Sequence, residues 1–203
     1  MHPAIAVVAG YILGSIPFAY LAGKLTRGID LRQHGSGNLG ATNVYRTLGG
    51  KIAAVVLVLD ALKGAVPVLM VRRFAEGDHL ALWAVAAGIA AIAGHAKPIF
   101  LLWRGGGKGV ATAAGVFLAL APVPTLAALA TWLVVVLLSG YVSLASLAAA
   151  IALPIAIAAL VGPSSFLFGV SVVIALFVFW THRANIGRLR RGEEHRFGRK
   201  ASA

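Results

Sequence analysis

The chain is 203 residues long, strongly basic and unusually apolar: hydrophobic residues make up 60% of it, charged residues only 12%, and the formal net charge is +12. This composition excludes an ordinary soluble domain, in which about 25% of residues are charged. It predicts an all-α integral membrane protein with a single polytopic domain over residues 1–203. The absence of cysteine excludes disulfides and cysteine-bound metals.

The apolar runs, taken in chain order, are candidate membrane helices of roughly 20 residues. The run at 109–139 would be about 46 Å long as one helix, and Pro122 and Pro124 divide it. The sequence therefore predicts a seven-transmembrane-helix bundle, with helices at 3–23, 52–71, 80–96, 109–121, 124–139, 141–161 and 164–181, followed by a basic tail at 182–203. The first helix lacks the basic start and the cleavage site of a signal peptide, so we expect it to be retained.

The distribution of arginine and lysine predicts the orientation. With seven crossings, the basic residues of 24–51, 97–108 and 182–200 fall on one side, and only Arg72 and Arg73 fall on the other. Because basic loops stay in the cytoplasm, we expect a periplasmic amino terminus and a cytoplasmic carboxyl terminus. Six crossings would remove most of this asymmetry. The positive charge therefore indicates orientation and anion binding rather than nucleic-acid binding.

Three polar segments rich in glycine and basic residues are predicted at the cytoplasmic face, at 34–46, 94–112 and 182–196, with a shorter one at 139–146. One such segment could be a plain connector, whereas three on one face favour a shared site. The glycines before Lys108 precede an apolar helix. Backbone N–H groups at such a position favour anions, so phosphate fits best as a ligand.

Two nucleotide-binding motifs are excluded. The G-x-G-x-x-G spacing of Gly35, Gly37 and Gly40 lacks the preceding strand and the βαβ unit of a dinucleotide site. Gly109 follows Lys108 where a Walker A loop has serine or threonine. No nucleophilic triad is visible, and the six histidines do not have metal-ligand spacing, so no metal is expected.

Two sets of ionisable residues leave alternatives open. Asp60 and Lys63 lie three residues apart in one apolar helix, where a structural ion pair is favoured over a functional one. His182 begins the third polar segment and is followed by Arg183 and Asn185. It can be an interfacial histidine or a catalytic or ligand-binding one.

Four segments of the chain resemble, in order and with similar spacing, motifs of the bacterial acyl-phosphate:glycerol-3-phosphate acyltransferases, the PlsY family. They are SGNLGATNVYR at 36–46, GHAKPIFLLWRGGGKGVAT at 94–112, YVSLAS at 141–146 and HRANIGRLRRGEEHRF at 182–197. The resemblance implies a multi-pass enzyme of the bacterial inner membrane, with its active site facing the cytoplasm. It would transfer an acyl group from acyl phosphate to the 1-hydroxyl of sn-glycerol 3-phosphate, giving lysophosphatidic acid and phosphate in phospholipid biosynthesis.

The resemblance implies no metal or organic cofactor. The expected partners are the two substrates, the lipid bilayer and the upstream enzyme that makes acyl phosphate. Residues that match essential family positions are expected to be catalytic: His182, Ser36 and Asn185. The expected substrate-binding residues are Gly37, Asn38, Thr42, Asn43, Arg46, Gly106, Gly107, Lys108, Gly109, Thr112, Ser143 and Arg183.

The resemblance is imperfect at one point and leaves two questions open. Glu194 matches a glutamate that supports the structure, but three glycines rather than two separate Arg104 from Lys108. Which of Gly105, Gly106 and Gly107 would hold phosphate therefore stays open. Either His182 or a substrate phosphate can take the hydroxyl proton. A small transporter for a phosphorylated metabolite would use the same cationic cavity, although transporters often contain internal repeats and none is visible here.

Overall fold

The computed structural model describes residues 1–197, and all the regular structure in them is helical. The short 3-10 helices are Leu31–Gln33 and Ile99–Leu101. The α-helices, in chain order, are α1 Pro3–Gly14, α2 Phe18–Arg27, α3 Ala41–Leu48, α4 Gly50–Phe74, α5 Leu80–Ala96, α6 Val110–Leu120, α7 Pro122–Ser139, α8 Val142–Leu160, α9 Phe166–Thr181 and α10 Arg183–Arg190.

Five helical segments of the described residues are long and apolar enough to cross a membrane. They are Pro3–Arg27, Gly50–Phe74, Leu80–Leu101, Pro122–Ser139 and Val142–Leu160. A sixth is formed when α9 is taken together with α10, to which it is bent by 60°. The remaining apolar helix, α6, has 11 residues. It is therefore about 16 Å long, shorter than the ~30 Å hydrocarbon core, and seven complete crossings stay a prediction.

The first apolar run, predicted as a membrane helix at 3–23, is one candidate span at Pro3–Arg27, but it consists of two helices rather than one. The helix α1 ends at Gly14, and α2 begins at Phe18. Pro17 has no backbone N–H and cannot continue the hydrogen-bond ladder of α1. Ser15 closes α1 instead, because both its backbone N–H and its hydroxyl donate to the carbonyl of Tyr11, at 2.9 and 2.8 Å. The break leaves the carbonyl of Ile16 available to a side chain from another helix.

The first polar segment is not a loop throughout, because residues 41–48 form the amphipathic helix α3. Val44 and Leu48, one helical turn apart, are both buried. They belong to an apolar cluster with Leu31, Leu39 and Val56. The cluster holds the first polar segment against α4 and fixes where the preceding loop lies.

The structure divides into two compact units, one from Met1 to Leu120 and one that begins at Ala121. In the first unit α1 packs closely on α5, because a Cβ at Gly14 would clash with the backbone of Ala91. The helix α4 also packs on α5 and α6. In the second unit α7, α8 and α9 pack in sequence, and α10 lies against α8 and α9. Residues 198–203 of the predicted basic tail lie outside the described residues.

Candidate functional site

Asn43 organises the loop that carries Ser36. The Asn43 side chain is almost completely buried, with 1% of the residue exposed. Its Oδ1 accepts a hydrogen bond from the backbone N–H of Ser36 at 2.9 Å, and its Nδ2 donates to the carbonyls of Leu31 and His34 at 3.2 and 3.0 Å. These bonds use both amide hydrogens, so Asn43 holds the loop while Ser36 itself stays exposed.

The local backbone conformation explains why the loop contains glycines. Gly35 and Gly37 have φ values of 60° and 70°, in the left-handed region that favours glycine. A Cβ at Gly35 would also clash with the amide oxygen of Asn43. The G-x-G spacing therefore reflects a turn wrapped around Asn43.

The loop contacts the glycine segment, which we define as residues 105–109. The backbone N–H of Leu39 donates to the carbonyl of Gly106 at 3.2 Å. Arg32 makes a second link, because its Nη1 donates to the carbonyl of Arg104 at 3.1 Å. The structure thus brings the first two polar segments together within the first unit.

Arg32 is held in place by an acid and an aromatic ring. Its Nη2 lies 2.6 Å from Oδ2 of Asp30, and its guanidinium lies 5.2 Å from the ring centre of Tyr20. The hydrogen bond from Arg32 lowers the pKa of Asp30 to about 2, against the opposing effect of burial. The carboxylate of Asp30 is therefore ionised at neutral pH and orients the Arg32 fork.

The glycines at the two ends of the glycine segment have left-handed backbones. Gly105 has a φ of 92° and Gly109 a φ of 79°. Gly105 is exposed, and a Cβ there would lie 2.8 Å from Cδ of Arg32. Lys108 is half-buried just before Gly109, and α6 begins at Val110. The segment therefore places glycines and one lysine just before a helix start, a position that suits an anion.

The two inner glycines lie against the end of α5. A Cβ at Gly106 would clash with the carbonyl oxygen of Ala96, and a Cβ at Gly107 would clash with Nε2 of His95. The backbone N–H of Gly107 donates to the carbonyl of His95 at 3.1 Å. Gly106 and Gly107 are thus required by close packing, whatever ligand the segment holds.

The other predicted residues of the first unit differ in exposure. Arg46 is exposed on α3, while Asn38 and Thr42 are half-buried near the start of that helix. Thr112 is completely buried at the contact between α6 and α4, and its Cγ2 would lie 3.1 Å from a Cβ at Gly64. Its hydroxyl makes no hydrogen bond to any described residue.

In the second unit Glu194 brings two predicted site residues together. The hydroxyl of Ser143 and the amide of Asn185 both donate to its Oε1, at 3.0 and 2.7 Å. Arg188 donates to its Oε2 at 2.7 Å. Burial opposes ionisation of Glu194, but the hydrogen bonds from Asn185, Arg188 and Ser143 hold its pKa below the ordinary value. The charged carboxylate therefore fixes the positions of both neighbours.

His182 lies at the junction of α9 and α10 and is 3% exposed. Its Nδ1 is 2.8 Å from the carbonyl oxygen of Val178, which can only accept a hydrogen bond. In the neutral ring Nδ1 therefore carries the hydrogen and Nε2 carries the lone pair. The next residue, Arg183, has its guanidinium 4.9 Å from the ring centre of Trp180 and donates to the Trp180 carbonyl at 3.1 Å.

Sequence reasoning gave no role to Arg32, Asp30 or His95. The signal for the first two was their spacing around the buried Leu31, and the signal for His95 was its place at the end of an apolar helix. The structure confirms the predicted ion pair of Asp60 with Lys63, at 2.8 Å. Within residues 1–197, no group of three or more metal-ligand side chains is placed to hold a metal ion.

Comparison with known proteins identifies the family. The family model described as glycerol-3-phosphate acyltransferase matches residues 4–192. The glycerol-3-phosphate acyltransferase of Synechococcus sp. (strain CC9902) is 49% identical over 96% of this chain and 94% of its own length. The protein of the same name from Geobacter sulfurreducens is 47% identical over 97% of this chain and 98% of its own length.

Two solved structures have the same fold. One is PlsY, an integral membrane glycerol 3-phosphate acyltransferase, in its glycerol 3-phosphate form, with a TM-score of 0.87 and 41% identity over 97% of this chain and 96% of that one. Its lysophosphatidic acid form has a TM-score of 0.84 and 40% identity, covering 97% and 95% of the two chains. Together with the apolar helices, these likenesses show a multi-pass, all-helical membrane protein. The chain belongs to the glycerol-3-phosphate acyltransferase family, as the resemblance of its motifs to PlsY predicted.

Proposed function

We propose that the protein is a membrane enzyme that acylates the 1-hydroxyl of sn-glycerol 3-phosphate to give lysophosphatidic acid in phospholipid synthesis. The observation that carries this proposal is the family match over residues 4–192, which includes the polar segments at 34–46, 94–112 and 139–146 and most of the one at 182–196. It is supported by the two solved PlsY structures, one in the glycerol 3-phosphate form and one in the lysophosphatidic acid form, which each match 97% of this chain.

We further propose acyl phosphate as the donor and phosphate as the second product. The hydroxyl oxygen attacks the acyl carbon, the bond from that carbon to the phosphate oxygen breaks, and the phosphate leaves with the bonding electrons. Because acyl phosphate already has a good leaving group, the protein must mainly position both substrates and stabilise negative charge. A cationic site built from backbone N–H groups, Arg46 and Lys108 suits that task. The enzyme that makes acyl phosphate would then act directly upstream.

The proposed roles follow from the contacts within each unit. In the first unit, Arg46, Lys108 and the glycine segment bind phosphate, and Ser36 contacts the reacting groups. The other proposed substrate-binding residues there are Gly37, Asn38, Thr42, Asn43 and Thr112. Asn43 acts through the loop that it holds, since its amide hydrogens are both used.

In the second unit we assign His182 to the reacting hydroxyl, either as the base or as the group that orients a phosphate acting as base. Its Nε2 lone pair suits the role of base, whereas orienting a phosphate anion requires the protonated ring, in which Nε2 carries a hydrogen and donates. Asn185 and Ser143, which Glu194 positions, contact the substrates. Arg183 would reach a substrate only by leaving Trp180.

The central experiment incubates the purified protein with palmitoyl phosphate and glycerol 3-phosphate and measures released phosphate and lysophosphatidic acid. We expect stoichiometric release that requires both substrates, no activity with palmitoyl-CoA, and no turnover in Lys108→Ala or Arg46→Ala. Binding of glycerol 3-phosphate without acyl transfer, together with its uptake into proteoliposomes, would instead identify a transporter.

For the topology we propose one polytopic domain with seven crossings, a periplasmic amino terminus and an active site at the cytoplasmic face of the inner membrane. The seventh crossing requires α6, whose 11 residues must be extended by the chain on either side. A reporter that is active only in the periplasm, fused after residue 203, should be silent. If this fusion is active, the carboxyl terminus is periplasmic. With a periplasmic amino terminus, the chain would then cross the membrane an even number of times.

A further inference from the structure

Three ionisable side chains form a buried cluster in the first unit. Asp60 and Lys63 come from α4 and His95 from the end of α5, and they are only 2%, 5% and 6% exposed. Nζ of Lys63 lies 2.8 Å from Oδ1 of Asp60, and Nδ1 of His95 lies 3.6 Å from the same oxygen. Charges inside a membrane bundle are costly, so such a cluster needs a reason beyond pairing with itself.

Lys63 connects the cluster to the break between α1 and α2. Its Nζ donates to the carbonyl of Ile16 at 2.9 Å, a group in the break that also accepts the backbone N–H of Phe18. The ammonium also lies 5.4 Å from the ring centre of Phe18, the first residue of α2. The cluster thereby fixes the α1–α2 break relative to α4.

His95 connects the same cluster to the glycine segment. Its Nδ1 side faces Asp60, and its Nε2 lies so close to Gly107 that a Cβ there would clash with it. Its own carbonyl accepts the backbone N–H of Gly107. Between these groups is a cavity of about 10 Å³, room for about one water, and it is lined by Lys63, His95 and Gly106 among others. The glycine segment therefore rests directly on the imidazole.

We propose that Asp60, Lys63 and His95 are positioning residues. They fix the position of the glycine segment relative to the end of α5, and thereby the affinity for the phosphate of glycerol 3-phosphate. Asp60 orients the imidazole, and the imidazole supports Gly107. Lys63 pairs with Asp60 and attaches it to the α1–α2 break. None of the three contacts substrate. This inference rests on the proposed function, because it names the same phosphate site.

The first test is the effect of His95→Ala on the two substrates separately. Removing the imidazole lets the glycine segment move, and a displacement of about 1 Å in a binding site can cost about 100-fold. We expect the KM for glycerol 3-phosphate to rise at least about tenfold, with the KM for palmitoyl phosphate changed less than about twofold. Unchanged KM values, or an equal loss for both substrates, would overturn the proposal.

The second test uses compensation between neighbouring positions. Gly107→Ala places a Cβ on Nε2 of His95, so His95→Ala should restore part of the activity that Gly107→Ala loses. Gly106→Ala is the matched control, because its Cβ would meet the backbone carbonyl of Ala96 instead. His95→Ala should therefore not rescue Gly106→Ala. Rescue of neither glycine variant, or of both equally, contradicts a specific support of Gly107 by the imidazole.

A third variant keeps the proposal testable if His95→Ala does not fold. Asp60→Asn combined with Lys63→Met removes both charges at similar volume, a change that buried ion pairs often tolerate. The imidazole then loses its charged partner, and the same selective rise in the KM for glycerol 3-phosphate is expected; an unchanged KM refutes the inference. The wild type is assayed first, so absence of acyl transfer in the wild type counts against the proposed function and not against the support of Gly107.

Discussion

The amide of Asn43 holds the loop that carries Ser36 through three hydrogen bonds, so its loss has a definable cost. Asn43→Asp preserves the size of the side chain and the acceptor for the Ser36 N–H. It replaces the Nδ2 amide group, which donates to the backbone carbonyls of Leu31 and His34, by a carboxylate oxygen that cannot donate to them. The carbonyls of Leu31 and His34 keep backbone donors in His34 and Gly37. Losing the two side-chain hydrogen bonds and turning a carboxylate oxygen toward both carbonyl oxygens therefore costs roughly 3 kcal/mol.

That cost should appear mainly in activity, because the apolar cluster around Val44 and Leu48 still holds α3. If the displaced loop cannot support turnover, about 3 kcal/mol corresponds to a kcat/KM about 100-fold lower. Steady-state acyl transfer from palmitoyl phosphate measures it, and thermal unfolding in detergent checks that the variant is folded. Thr47→Val is the matched control, because it removes a single hydrogen bond within the same helix; its kcat/KM should stay within about twofold.

A double-mutant cycle decides whether Asn43 works through Ser36. If Asn43 positions that residue, Asn43→Asp should cost little more once Ser36→Ala is present. Additive losses would mean that Asn43 meets the substrate on its own, which contradicts the role assigned from its hydrogen bonds. Equal activity of Asn43→Asp and Thr47→Val would refute the importance of the loop's shape altogether.

Three further outcomes are expected. Gly14→Ala should destabilise the protein by about 1–3 kcal/mol because its Cβ meets the backbone of Ala91, whereas Gly169→Ala, which meets nothing within 4 Å, should raise the melting temperature slightly. The folded-state pKa of Glu194 is lowered, so its stabilising charge is present above about pH 4.5 and is lost as the pH falls below that value; Glu194→Gln should flatten this part of the stability profile measured by thermal unfolding. If His182 is the base, His182→Ala should lower kcat with little change in substrate binding, and an effect on KM alone would indicate a binding role.

The family and the membrane class could be predicted from the sequence because both depend on features spread along the whole chain. Apolar runs of membrane length and four long motifs in fixed order leave few alternatives. The interruption at Pro17 was harder to predict, since a single proline in an apolar run either kinks a helix or ends it. Ser15 and Lys63 decide between these outcomes, and only the tertiary structure brings Lys63 to the Ile16 carbonyl.

The sequence predicts which residue types form the site, and this stays a prediction; it does not predict how those side chains are held. A sequence shows that Asn43 and Glu194 are polar residues in polar segments; it does not show that one amide fixes the Ser36 loop or that one carboxylate accepts from Ser143 and Asn185. Such long-range hydrogen bonds depend on where the chain folds back. The helix α3 was not predicted, because its buried apolar face consists of only two residues, Val44 and Leu48.

The glycine segment illustrates how one residue type can satisfy two constraints at once. Gly106 and Gly107 must lack a Cβ to lie on Ala96 and His95, while Gly105 must be glycine for its backbone angle. Gly105 lies at the exposed end of the segment, beside Arg32, where a change affects the link to the Ser36 loop rather than the surface resting on α5. Of the three, Gly105 is accordingly the position where a substitution should alter that link while leaving the contact between Gly107 and His95 intact.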